Sequence, residues 1–377
     1  MILDSLLKQA IQDFDKKKFQ KSINLFEMII EENPNNSEMI INKAVCLAEL
    51  GKYDESLEEL EKVLIHNPDD FDGLYNKATT LYDMGKYEEA LSEFNHALKI
   101  NPEDTNALCN KANVFVALGR HDDAISIYKS ALKIHPRDIE ILNNVGIVYA
   151  GDKQHYKAIE YFESALNENK NDIDSLCNLG NSLLEIEKFR LSYECFKQAV
   201  KHDPKDFDAM FRLGVACNSL KKPEDALVYF NKILHKEKNN TDVIINKGYS
   251  LHLMGQYKQA ILCFNKILKN DPEEMNSLYF KAKSTAKQNN NKQTCELITK
   301  LLELERKNAH NHEREHEHEH GNFLNKIKSD PDFIGLRHDQ NFKTLIKEIF
   351  LSEVCFVWPI LHTFSSIHLR LFLLQNM

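Results

Sequence analysis

The chain repeats itself every 34 residues. "HNPDDFDGLYNKA" at His66–Ala78 returns as "INPEDTNALCNKA" at Ile100–Ala112, and fainter copies continue downstream. Counted from Leu3, the blocks run through nine copies to Asn308 with no insertion. A period of this length marks supersecondary units that cannot bury their apolar surface alone and must stack on their neighbours. Numbering slots within a block, slot 8 is always small (Ala10, Ala44, Ala78, Ala112, Gly146, Gly180, Gly214, Gly248, Ala282). Slot 20 is small as well (Ser22, Ser56, Ala90, Ala124, Ala158, Ser192, Ala226, Ala260, Thr294). Slot 24 is large and apolar throughout (Phe26, Leu60, Phe94, Tyr128, Phe162, Phe196, Phe230, Phe264, Ile298), and Pro34, Pro68, Pro102, Pro136, Pro204 and Pro272 occupy slot 32.

These slots predict two antiparallel helices per block and an all-α chain. Small residues at 8 and 20 let the helices approach closely, and the bulky slot 24 fills the space beside them. Glycine near slot 15 caps the first helix at Gly51, Gly85, Gly119 and Gly255. Slot 34 supplies the next N-cap at Asn36, Asp70, Asp104, Asp138, Asp172, Asp206 and Asn240. Slot 7 holds Lys43, Lys77, Lys111, Lys247 and Lys281, whose stems are expected to cross the core edge and place their ammonium groups in water.

The pattern resembles the tetratricopeptide repeat (TPR), in its period, its small slots 8 and 20 and its closing proline. The resemblance implies a right-handed αα superhelix, a TPR solenoid, over 3–308, with repeats 3–36, 37–70, 71–104, 105–138, 139–172, 173–206, 207–240, 241–274 and 275–308. It also implies that slots 2, 5, 6, 9, 12 and 13 of each first helix line a concave groove that holds a protein or peptide partner. Slot 6 there reads Asn42, Asn76, Asn110, Asn144, Asn178, Arg212 and Asn246 over seven repeats. An amide offers a donor and an acceptor, so such a ladder suits a peptide backbone of any sequence. Asn at slot 6 is equally the family's ordinary residue, and both readings stay open. Tyr75, Tyr82, Phe211 and Tyr249 add apolar contact area on the same wall. Slot 2 is acidic or Asn in every block, where a carboxylate favours the helix dipole.

Composition narrows the function. Charged residues make up 28% and apolar ones 42%, as in folded proteins, and the net charge of -9 counts against nucleic acid and anionic membranes as partners. Eight cysteines without C-x-x-C are read as reduced thiols of a cytoplasmic protein that uses no cofactor. No nucleophile constellation or phosphate loop is present, so the expectation is a non-enzymatic protein–protein interaction scaffold. The alternatives are a substrate-recruiting partner of a separate enzyme, such as a glycosyltransferase, and a weak metal buffer. The last rests on the His/Glu-rich linker 309–321, where His312, His316 and His320 share a helical face and His316, His318 and His320 one side of an extended chain. A helical cap is expected over 322–350 from the "DPDF…LR.D..F..L" pattern. Residues 351–377 form an apolar tail whose stretch 354–374 is just long enough for a bilayer but is interrupted by Pro359, His362, His368 and Arg370.

Overall fold

The computed structural model of the chain describes residues 2–311, 323–340 and 342–344. It divides into two compact units, Met1–Asp203 and Pro204–Met377. In the first, α1 (Ile2–Asp15) pairs with α2 (Phe19–Glu32), α3 (Ser37–Glu49) with α4 (Tyr53–His66), and α5 (Phe71–Asp83) with α6 (Tyr87–Ile100). The same unit continues with α7 (Thr105–Ala117) and α8 (His121–Ile134), α9 (Ile139–Gly151) and α10 (His155–Glu168), and α11 (Ile173–Glu185) and α12 (Phe189–His202). The second holds α13 (Phe207–Ser219) with α14 (Pro223–Lys236), α15 (Thr241–Leu253) with α16 (Tyr257–Leu268), and α17 (Met275–Lys287) with α18 (Asn291–Asn311). Its last elements among the described residues are α19 (Phe323–Ser329) and a 3-10 helix, Pro331–His338. No strand occurs among the described residues. Each unit is a tandem run of helical hairpins in which the second helix of one repeat packs on the first helix of the next.

The sequence slots carry the packing. Every slot-8 residue is fully or almost fully buried, and so is every slot-24 side chain. Contact between them is close enough to select glycine: a Cβ on Gly180 would stand 2.7 Å from the Phe196 ring, and one on Gly248 2.6 Å from Phe264. Slot-20 serines are small and also tie the hairpin together. The hydroxyl of Ser22 donates to the Ala10 carbonyl and that of Ser192 to the Gly180 carbonyl, each at 2.8 Å.

Both ends of the first helices follow from local chemistry. The slot-34 side chains of Asn36, Asp70, Asp104, Asp138, Asp172, Asp206 and Asn240 each accept a backbone N–H of the following first turn, and Glu274 does the same for α17. Slot 15 is left-handed in all nine repeats. Gly51, Gly85, Gly119 and Gly255 have φ between +69° and +75°, while Lys17, Lys153, Glu187, Lys221 and Asn289 hold φ of +56° to +59°. The turn therefore imposes its backbone whatever residue stands there.

The lysines of slot 7 correct the expectation of solvated ammonium groups. Lys43 is 17% exposed, with Nζ 3.0 Å from both Glu27 of the preceding repeat and Glu59 of its own. Lys77 lies likewise between Glu61 and Glu93. Burial alone would lower the Lys43 pKa, but the two carboxylates hold it above its ordinary value. At Lys111 the matching positions are Asn95 and Ile127, and burial leaves that ammonium's pKa depressed. The same holds at Lys281, flanked by Asn265 and Leu297, with Lys300 adding a like charge.

Candidate peptide-binding site

The first helices of neighbouring repeats touch within the first unit, α3 with α5, α5 with α7 and α9 with α11, so their slots form two stretches of wall there, one over α3, α5 and α7 and one over α9 and α11. Asn42, Asn76, Asn110, Asn144 and Asn178 are all half-buried on them. The rungs are not equivalent. Asn76 Nδ2 donates to the Asp72 carbonyl of its own helix at 2.8 Å, and Asn110 Nδ2 donates to the Tyr75 hydroxyl of the previous repeat at 2.8 Å. Each retains one N–H and its carbonyl oxygen for another partner. The side chains of Asn42, Asn144 and Asn178 make no hydrogen bond among the described residues.

Apolar members of the wall divide into covered and open ones. Ile41 is 7% exposed, whereas Ile11 is 47% and Ile147 48% exposed. Tyr75 is packed between Phe71, with ring centroids 6.2 Å apart, and Phe94, at 6.0 Å edge-on. Tyr82 leans on Tyr87 at 5.7 Å. Asn143 at slot 5 is missing from the sequence ladder but is buried on this wall. Its Nδ2 donates to Ser175 Oγ at 2.8 Å, and its carbonyl oxygen has no hydrogen-bond partner among the described residues. Burial, with Asp138, Glu140 and Asp104 nearby, pushes the Cys109 pKa up to about 12, so this thiol is held protonated. All seven described cysteines are free.

In the second unit Arg212 is engaged by Asp208, with Nε 2.7 Å from the carboxylate. Phe211 packs against Phe230, and Asn246 Nδ2 donates to the Asp242 carbonyl at 3.0 Å. Tyr249 lies against Phe280, at 5.0 Å, and stacks on His252. At the end of this unit's first-helix wall, on α17 and the last turn of α15, a later segment of the chain itself is seated. Asp330 and Asp332, flanking Pro331, dock on slots 5, 9 and 13 of α17 and slot 12 of α15. Asp330 accepts from the Tyr279 hydroxyl at 2.5 Å and from Lys283 Nζ at 2.9 Å. Asp332 accepts from His252 Nε2 at 2.9 Å, from Lys287 at 3.0 Å and from Lys283 at 3.2 Å. Burial by itself would raise the Asp332 pKa, but the bonds from His252 and Lys287 and the charges of Lys283 and His252 hold it well below the ordinary carboxylate range. Phe333, 1% exposed, follows into a core made with Tyr279, Leu301, Phe323 and Ile327. The expected cap thus turns onto first-helix slots 5, 9, 12 and 13 as well as packing on α18. Its signal was present in sequence: slots 9 and 13 are basic in the ninth repeat alone, at Lys283 and Lys287.

Family models for the tetratricopeptide repeat match residues 13–78, 69–137, 103–167, 177–241 and 241–274. The chain belongs to the tetratricopeptide repeat family. A search of curated proteins finds no match. Among solved structures this TPR chain is similar to the Cut9 and Hcn1 assembly of the APC/C, with a TM-score of 0.52 and 20% identity over 74% of this chain and 55% of that one. A tetratricopeptide repeat protein from Parabacteroides merdae gives 0.50 and 20% identity over 61% of this chain and 91% of its own. At these identities the likeness concerns the fold.

Within the described residues no group of three or more His, Cys, Asp or Glu is placed to hold a metal, and no helix is long and apolar enough to cross a membrane. The histidines His312, His316, His318 and His320, and the stretch 354–374, lie outside the described residues.

Proposed function

We propose that this TPR chain is a non-catalytic scaffold that holds a protein or peptide partner along the first-helix wall of its repeats. The nine repeats of 3–308 act as the binding array and the segment after them as its cap. The observation that carries this reading is the chain's own Asp330–Phe333, seated on slots 5, 9, 12 and 13 of the last two repeats by side-chain hydrogen bonds and ion pairs. The first helices of the first unit carry half-buried asparagines at slot 6 and the exposed isoleucines Ile11 and Ile147 at slot 9, which suit a chain in extended form. Neighbouring helices stand about 8–10 Å apart and an extended strand advances about 3.3 Å per residue, so successive rungs would meet roughly every third residue. The net charge of -9 favours a protein partner over nucleic acid.

The test is affinity capture with the full chain beside an Asn110→Ala/Asn144→Ala/Asn178→Ala variant of unchanged helical content. Partners bound by the wild type and lost by the variant support the reading. A partner set indifferent to the three substitutions removes the wall from the mechanism.

A further inference from the structure

We infer that the second-helix face of the eighth and ninth repeats binds an acidic, extended peptide. Each repeat seats one carboxylate of that peptide between a pair of lysines at slots 7 and 26, Lys247 with Lys266 and Lys281 with Lys300. The surface does not involve the asparagine ladder and is independent of the function proposed for it.

The second repeat holds the same lysine pair with its anion in place. Glu59, at slot 23, accepts from Lys43 at slot 7 and from Lys62 at slot 26, each at 3.0 Å. Burial by itself would raise the Glu59 pKa, but the bonds from Lys62 and Lys43 hold it below its ordinary value. The eighth and ninth repeats keep both lysines and lack the carboxylate. Slot 23 there is Cys263 and Leu297, and the preceding slot 25, which supplies Glu27 to Lys43, is Asn231 and Asn265. The charges acting at these places are cationic. Burial raises the Cys263 pKa against the charges of Lys247 and Lys266, and burial, then Lys300, depress Lys281. Lys247, Lys281 and Lys300 make no hydrogen bond or ion pair among the described residues. Lys266 donates to the Lys238 carbonyl at 2.8 Å and retains two N–H groups. Each pair thus surrounds a place that a carboxylate fills in the second repeat.

The fold does not require these charges. Slot 7 is Val145, Leu179 and Leu213 in the fifth to seventh repeats, and a half-buried ammonium without a counter-ion is costlier than an aliphatic side chain. An anion brought by a partner relieves that cost twice, once in each repeat. An acidic peptide suits the face better than a nucleic acid. One turn before the slot-26 lysines Lys232 and Lys266, Val228 and Leu262 are 64% and 67% exposed and offer aliphatic contact to a peptide. α16 carries no Asp or Glu to repel an acid, and no arginine, with its phosphate-matching fork, stands at slots 7 or 26. Neighbouring helices stand about 8–10 Å apart and an extended strand advances about 3.3 Å per residue, so the two carboxylates belong roughly three residues apart.

The experiment pans a randomised peptide library, displayed on phage, against the immobilised full chain at low salt. Enriched peptides are then titrated by fluorescence anisotropy against the wild type, Lys247→Leu/Lys281→Leu and Cys263→Glu/Leu297→Glu. A control, Lys236→Met/Lys258→Met, removes exposed lysines of α14 and α16 outside the pairs. Leucine at slot 7 and glutamate at slot 23 stand in other repeats, at Leu179 and Glu59, so both site variants should keep their helicity, which circular dichroism checks. The expected result is enrichment of peptides with Asp or Glu three residues apart, bound about tenfold more weakly by both site variants and within about twofold by the control. Enriched peptides without that acidic spacing, or no enrichment, overturn the inference. So does a loss under about twofold in the site variants, or an equal loss in the control, which marks diffuse charge rather than built pairs. A charge-matched oligothymidylate that displaces the best peptide and depends on the same lysines makes the face a nucleic-acid surface and overturns the peptide assignment. The asparagine ladder is intact in every variant, so the outcome is distinguishable from failure of the first-helix wall.

Discussion

Gly180→Ala tests the packing rule that makes each repeat. The added methyl would sit 2.7 Å, 2.8 Å and 3.1 Å from three carbons of the Phe196 ring, where ordinary contact begins near 3.5 Å. The ring is fully buried and must retreat by several tenths of an ångström against its own neighbours. Overpacking of this kind costs about 1–3 kcal/mol, while exchanging a mid-helix glycine for alanine returns about 0.5–1 kcal/mol. The net expectation is a loss of about 1 kcal/mol. It should fall at the mild end, because Ala10 with Phe26 and Ala78 with Phe94 show that the pairing can be accommodated in other repeats. The decisive arm is a second background, Phe196→Leu, in which the methyl has room and Gly180→Ala should stabilise by about 0.5–1 kcal/mol. Repeat arrays need not unfold in one step, so the measurement is amide hydrogen exchange of α11 and α12, read together with urea unfolding of the full chain. If Gly180→Ala stabilises equally in both backgrounds, the ring does not select the glycine and the packing argument is wrong.

The turn at slot 15 gives opposite signs at equivalent positions: Glu187→Gly should raise the thermal midpoint, since a left-handed residue with a Cβ carries about 1–2 kcal/mol of strain, and Gly85→Ala should lower it. Among the slot-7 lysines, Lys43→Met should destabilise by about 1 kcal/mol by stranding Glu27 and Glu59, whereas Lys111→Met should be neutral or stabilising; calorimetry separates them. Their pH dependence differs in sign. The Lys43 pKa is raised on folding, so its contribution is complete below the unfolded value near 10.5 and fades as pH rises through the higher folded value. Lys111 is lowered, so its charged form burdens the fold and stability recovers as pH climbs through the depressed value towards 10.5. Asp332 is depressed, so the stability it lends is present above about pH 4 and disappears on acidification; exchange protection in α17 and the 3-10 helix should fall there, and Asp332→Asn should abolish that acid sensitivity.

Helices, hairpins and caps were legible because each rests on short-range chemistry: a small residue opposite a ring, an aspartate one position before a helix, a glycine after it. The left-handed turns at Lys17, Lys153, Glu187 and Lys221 were not, since nothing in a lysine or glutamate announces positive φ and only the register of the other repeats implies it. The Glu27–Lys43–Glu59 bridge was hidden for a related reason. Its members belong to two repeats and three helices, and a slot-by-slot reading treats each repeat in isolation. The asparagine ladder was legible as composition but not as chemistry, because the bonds of Asn76 and Asn110 depend on which neighbour each amide reaches first. Asn143 was invisible as a candidate, being the only asparagine at slot 5 among aliphatic, aromatic and cysteine counterparts.

The docked aspartates make the last two hairpins a matched set. His252 comes from the eighth, and Tyr279, Lys283 and Lys287 come from the ninth, so neither hairpin can be exchanged for an upstream copy without orphaning a carboxylate. Duplication or deletion of modules is accordingly tolerated only ahead of that pair. In evolution or in engineering, such an array changes length from its front and middle, while its final turn travels as one inseparable cassette.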